Sequence, residues 1–106
     1  MTEAVVVLVT AGSVEEGTRI GDALVAEHLA ACVNMISGVR SCFIWEGRSQ
    51  TANECLLICK TTRDTLERLV TRVKELHSYT VPEVIALPVV AGLPAYLAWV
   101  GESTRQ

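Results

Sequence analysis

The apolar residues of this chain fall in blocks whose spacing changes along the sequence. Ala4-Val5-Val6-Val7-Leu8-Val9 is apolar without alternation. Such a run predicts a short strand over about 3–10 that is buried on both faces. Ala11-Gly12 is the turn after it, and Ser13-Val14-Glu15-Glu16 reads as a capping box. The Ser13 hydroxyl there meets the Glu16 amide while the Glu16 side chain reaches back. A helix to about Ala31 follows, with Ile20, Leu24 and Leu29 near helical spacing. The stretch 32–46 is rich in β-formers (Val33, Ile36, Val39, Phe43, Ile44, Trp45), with Gly38 marking a bulge or bend. A polar turn over 47–51 leads to a return strand over 54–60, again apolar on both faces. Thr61 or Thr62 caps a second helix whose stripe is Leu66, Leu69, Val70, Val73 and Leu76, while Glu67, Arg68, Arg72, Lys74 and Glu75 form its solvated side. Pro82 fixes its own φ and pushes Val81 towards extended geometry, so this helix ends near His77. Residues 84–91 form a fourth strand, 93–100 a short helix with Pro94 in its first turn, and 102–106 a loose tail.

The order β-α-β-β-α-β predicts a single domain over 1–106 with a ferredoxin-like α+β fold: an antiparallel sheet with both helices on one face, plus the short C-terminal helix. Three of the strands lack alternation, so both sheet faces need cover, and two helices cover only one. Other copies of the protein are the simplest cover for the second face. The second strand makes the same point. Fourteen residues at ~3.3 Å each span roughly 46 Å, whereas a globule of this length is only about 33 Å across. That hairpin must bend sharply or project and find a neighbour.

Composition agrees. Of 106 residues, half are hydrophobic and a fifth charged, which is apolar for a small domain. A net charge of −3 with scattered Lys and Arg argues against a nucleic-acid partner. No run is long enough for a membrane helix, and no basic segment opens a secretory signal, so no membrane partner and a cytoplasmic location are expected. The four cysteines, Cys32, Cys42, Cys55 and Cys59, contain no Cys-x-x-Cys. Cys55 and Cys59 share a strand face roughly 13 Å apart, too far for a bridge or a common metal. Cys42 and Cys55 could face each other across a hairpin, but buried free thiols are the preferred reading in a chain that looks cytosolic.

Chemistry concentrates at the hinge His77-Ser78-Tyr79-Thr80-Val81-Pro82-Glu83, with Trp45, Lys60 and Trp99 as the other groups to follow. Each has a plain structural role open to it. Lys60 snorkels at a strand end and Glu83 pairs with it, His77 caps the second helix, and Tyr79 and the tryptophans anchor packing. His28, beside the end of the first helix, reads as a solvated residue favoured by the helix dipole. No Gly-x-Ser-x-Gly elbow, His-Glu-x-x-His or Walker loop is present, so no enzyme is expected. A Cys32–His77 pair could be drawn, but nothing in the sequence orients it.

The hinge and the strand after it, His77-x-Tyr79-x-x-Pro82-Glu83-x-Ile85-Ala86-Leu87-Pro88, resemble the signature of the CutA family, the divalent-cation tolerance proteins. Leu24 to Asn34, Trp45-Glu46-Gly47, Lys60-Thr61-Thr62, Gly92 and Tyr96-Leu97-x-Trp99 match the family in order and spacing over nearly the whole chain. The resemblance implies a homotrimer with sheets facing inward and a ligand cleft between subunits around Trp45, Lys60, Tyr79 and Trp99. It also implies a role in tolerance of copper and other divalent cations, with weak binding of Cu(II) or a related ion and no obligatory cofactor. Two alternatives stand beside it: a small-ligand sensor resembling the PII signalling proteins in architecture, and a non-catalytic assembly or anchoring subunit. His77 is the best single metal ligand, with Glu83 assisting across the stiff turn. The chain departs from family members discussed as copper binders. Val9 stands where a first-strand cysteine is invoked, Leu76 where a second histidine is, and Ser78 replaces the usual proline. Two ligands per chain predict weak Cu(II) binding, with Kd on the order of micromolar or poorer.

Overall fold

The computed structural model describes residues 2–105. The elements run β1 (Ala4–Ala11), α1 (Val14–Ala26), β2 (Cys32–Trp45), β3 (Arg48–Thr62), α2 (Arg63–Leu76), β4 (Val84–Pro88) and α3 (Pro94–Ser103). The strands pair antiparallel in the order β2-β3-β1-β4, the ferredoxin-like arrangement.

Strand pleating decides the core. Along β1, Val5, Val7 and Val9 point under the helices and are buried, as are their β3 partners Cys59 and Leu57. Ile20 and Leu24 of α1 and Leu69 and Val73 of α2 close this layer. The alternate residues form a second apolar face that α1 and α2 do not reach and that α3 covers only in part, with Val100 buried outside the core beneath the other two helices. Leu8 pairs with Ile58 and Ile85, Val6 with Leu87, and Ile36 with Leu56. Within one chain Ile85 stays 52% exposed and Leu87 49%. The β-branched runs are therefore apolar on both sides, but a single chain buries only one of them fully.

The ends of α1 follow local chemistry. The Ser13 hydroxyl accepts from the Glu16 amide at 3.1 Å, the first half of a capping box. The helix stops at Ala26, short of the predicted Ala31, in a Schellman motif: His28 takes φ 59, Leu29 N–H bonds the Leu24 carbonyl at 2.8 Å, and His28 N–H bonds Val25 at 3.1 Å. His28 is not merely solvated, since its Nδ1 also meets the Ser103 carbonyl at 3.0 Å.

The hairpin between β2 and β3 is longer than the sequence predicts. The expected polar turn over 47–51 is mostly strand, because β3 begins at Arg48. A two-residue loop, Glu46 (φ 52) and Gly47 (φ 76), reverses the chain with the two positive φ values that a type I′ turn requires. Gly38, at φ 74, sits in a register shift between Ile36 and Val39, the predicted bulge. The molecule is accordingly long, 43 × 25 × 22 Å, with the hairpin tip at a distance from the core. β4 is shorter than predicted and ends at Pro88. Of the expected loose tail over 102–106, Glu102 and Ser103 instead belong to α3 and Thr104 is buried, its hydroxyl donating to the Val100 carbonyl at 2.9 Å, while Gln106 lies outside the described residues.

Candidate functional site

The segment between α2 and β4 is held by a buried polar network. His77 is the C-cap of α2, and its side chain is fully buried. Its Nε2 lies 2.6 Å from the Thr10 carbonyl, and its Nδ1 lies 3.1 Å from the Tyr79 amide. An amide N–H can only donate, so Nδ1 supplies the lone pair and Nε2 carries the proton. The Glu16 carboxylate crosses from α1 to the same segment. Its Oε2 accepts from the Ser78 amide at 2.7 Å, and its Oε1 accepts from Gly12 at 3.1 Å. Glu16 thus reaches Gly12 and Ser78 rather than completing the predicted local box. Burial pushes its carboxyl up, but the Ser78 and Gly12 hydrogen bonds, with His77 3.8 Å away, outweigh burial and hold it below its ordinary range.

Tyr79 carries this network to the surface. Its hydroxyl donates to Glu54 Oε2 on β3 at 2.8 Å, and its ring lies 4.6 Å from that of His77. Burial, and then the Glu54 and Glu16 carboxylates, push the phenol up to about 12, so it remains a donor at neutral pH. Gly12 makes room for it: a Cβ there would stand 3.1 Å from the Tyr79 hydroxyl.

A cavity of about 830 Å³ opens between this segment and the projecting hairpin. It is lined by Tyr79 and Glu83 of this segment, by Phe43 and Trp45 of β2, and by Glu54 and Thr10. Phe43 and Trp45 are two positions apart on a strand and therefore share a face. Among the described residues neither Glu54 nor Glu83 has a Lys, Arg or His within 4.0 Å.

Of the residues singled out in the sequence, Trp45, Tyr79 and Glu83 meet at this cavity, and Lys60 and Trp99 do not. Lys60 lies six positions beyond Glu54 on β3, roughly 20 Å away. Its Nζ reaches Cys32 Sγ at 3.9 Å and the Asn34 side chain, so it does not pair with Glu83. Trp99 is on α3, with its ring 5.5 Å from that of Tyr96. The pairing of His77 with Glu83 as metal ligands is corrected by the hydrogen bonds. Both ring nitrogens are committed inside the chain, and the carboxylate near His77 is Glu16, whereas Glu83 is exposed on the cavity wall. These residues do not fit a copper site, and no group of three or more His, Cys, Asp or Glu among the described residues could hold a metal ion.

The thiols are all free. Cys42 pairs with Thr51, and Cys55 lies opposite Ala11, so the two do not face each other as the sequence suggested. Burial pushes Cys59 up to about 12 and raises Cys55, which keeps both thiols protonated and unreactive. Glu16, Glu54 and Phe43 were missed as site residues. Glu16 looks local in sequence because a capping box explains it, and Glu54 looks like the polar start of a strand.

Fold and site together define a ferredoxin-like domain with an acidic, aromatic cleft beside a projecting hairpin. Residues 5–103 match the family described as CutA1 divalent ion tolerance protein. The chain is 47% identical over 103 residues to Protein CutA 1, chloroplastic, of Oryza sativa subsp. japonica, covering 97% of this chain but only 58% of that protein. It is 48% identical over 99 residues to the Divalent-cation tolerance protein CutA of Thermus thermophilus, covering 93% of this chain and 96% of that protein. The solved structure of a divalent cation tolerance protein from Thermus thermophilus superposes with a TM-score of 0.94 at 46% identity, over 96% of this chain and 99% of that one. The chain belongs to the CutA1 divalent ion tolerance family.

Proposed function

We propose that this protein supports tolerance of divalent cations as a non-enzymatic homotrimer whose clefts meet their ligands at the hairpin and the segment after α2. The observation that carries the reading is the pair of carboxylates, Glu54 and Glu83, that line the cavity without a basic partner among the described residues. The second apolar sheet face supports assembly: Ile36, Ile85 and Leu87 are about half exposed in one chain, and other copies would cover them. The cleft lies beside the hairpin tip, so a neighbouring copy over the tip would rim it and shield it from water. Four free thiols fit a reducing compartment such as the cytoplasm.

Cations are met weakly in this reading. Carboxylates alone, with water completing the shell, bind a divalent ion less tightly than a closed nitrogen and sulfur site. Calorimetric titration of Cu(II) is expected to give a Kd on the order of micromolar or poorer, weakened further in Glu83→Gln and Glu54→Gln. Nanomolar affinity that survives both substitutions contradicts it.

A further inference from the structure

The walls of the same cleft carry a second kind of information, because its carboxylates are set among aromatic rings. We infer that the cleft recognises an organic ammonium cation, such as a quaternary or alkylated amine, by its charge and its apolar surface together. This rests on the reading of the cleft as the functional site and deepens it by naming a ligand class.

Three features point there. First, Glu54 and Glu83 supply negative charge, and the basic groups nearest the hairpin do not cancel it. Arg40 turns to Cys42, with Nη1 3.0 Å from Sγ, and neither it nor Arg48, opposite Trp45 at the hairpin tip, makes an ion pair with either carboxylate among the described residues. Second, Phe43, Trp45 and Tyr79 line the cavity with rings whose faces attract a cation. None of them is engaged by a Lys or Arg among the described residues; the ring contact of Tyr79 is with His77. Third, one ring is held in place. Tyr79 is fixed by its hydrogen bond to Glu54 at one end and by its amide on His77 at the other. The ring and the carboxylate it holds are therefore arranged before any ligand arrives.

A bare metal ion uses only part of this. It wants a compact shell of oxygen, nitrogen or sulfur donors, and the rings offer none. An ammonium carrying methyl or methylene groups uses both parts, since its diffuse charge is cheap to dehydrate and its carbons pack on the rings. The cavity, at about 830 Å³, also leaves room for the group that carries the ammonium.

The test is titration of the full chain with choline and, in parallel, with 3,3-dimethylbutan-1-ol, which has the same shape without the charge. Calorimetry at constant ionic strength follows both. Saturable choline binding, at least about tenfold tighter than the neutral alcohol and weakened by Glu83→Gln and by Glu54→Gln, supports the inference. Circular dichroism of both variants confirms that the loss is not unfolding. Absence of saturable choline binding at millimolar concentration overturns it. So does equal binding of the neutral alcohol, or choline binding that both glutamine variants retain. The Cu(II) titration separates the two readings. If choline fails while Cu(II) binding still depends on Glu83, only the ligand class is wrong; if neither depends on Glu83, the cleft is not the site.

Discussion

Nε2 of His77 donates to the backbone carbonyl of Thr10 across 2.6 Å, and this bond ties the end of α2 to the end of β1. The imidazole occupies a place where a metal ligand is expected, yet it acts as a structural bridge. Its other nitrogen orders Tyr79, and Tyr79 orders Glu54.

Truncation of His77 is therefore expected to act on stability before it acts on ligands. His77→Ala leaves the Thr10 carbonyl and the Tyr79 amide without their partners in a buried place. A loss of about 3 kcal/mol is expected. Urea unfolding with an unchanged slope checks it. A variant as stable as the parent means that the network does not hold the segment.

Glu16 makes stability depend on pH. Its folded pKa lies below the ordinary value of 4.5. The unfolded chain therefore binds this proton more readily, so the contribution is full above about 4.5 and is lost as pH falls through the folded value. Glu16→Gln should lower stability at pH 7, because an amide cannot accept from both Gly12 and Ser78. It should also flatten the fall in stability below about pH 4.5. Urea midpoints across acid pH check this; the same slope in parent and variant would mean that Glu16 is not linked to folding.

These relationships show what a sequence holds and what it does not. Element order, the Gly38 bulge, the helix stop at His77 and the apolar excess on the sheet were legible because each has a local cause: a period, a glycine, a proline. The family resemblance placed the hairpin tip at Trp45-Glu46-Gly47, where the turn is; the polar pattern at 48–51 reads as a loop but forms the exposed rungs of a projecting hairpin. The cleft was half legible. Trp45, Tyr79 and Glu83 are far apart in sequence and meet only through the hairpin length, and Glu54 joins them because of a register that no local pattern fixes. That both ring nitrogens of His77 are engaged inside the chain was not legible, because its Thr10 partner lies 67 residues away.

The hairpin tip offers a gain. Glu46 takes φ 52 ahead of Gly47, a conformation that Asn tolerates better than Glu. Glu46→Asn should stabilise by about 0.5–1 kcal/mol. A higher melting temperature is the expected outcome, and a lower one would show that the Glu46 side chain contributes more than its backbone costs.

Trp45 tests the reach of the hairpin. It stands at the strand end, 46% exposed in one chain. If a neighbour covers the tip, Trp45→Ala should weaken assembly by about 2 kcal/mol or more, as buried aromatic anchors do. Mass measured on serial dilution checks this, and unchanged mass together with unchanged melting removes Trp45 from the interface.

Assembly through the second sheet face, as proposed, would account for the apolar strands and the long hairpin together. Sedimentation equilibrium of the purified chain at micromolar concentration tests it directly. The expected mass is three times the 11.5 kDa of one chain, with no dissociation on dilution through that range. A well-folded monomer of 11.5 kDa under the same conditions would contradict it.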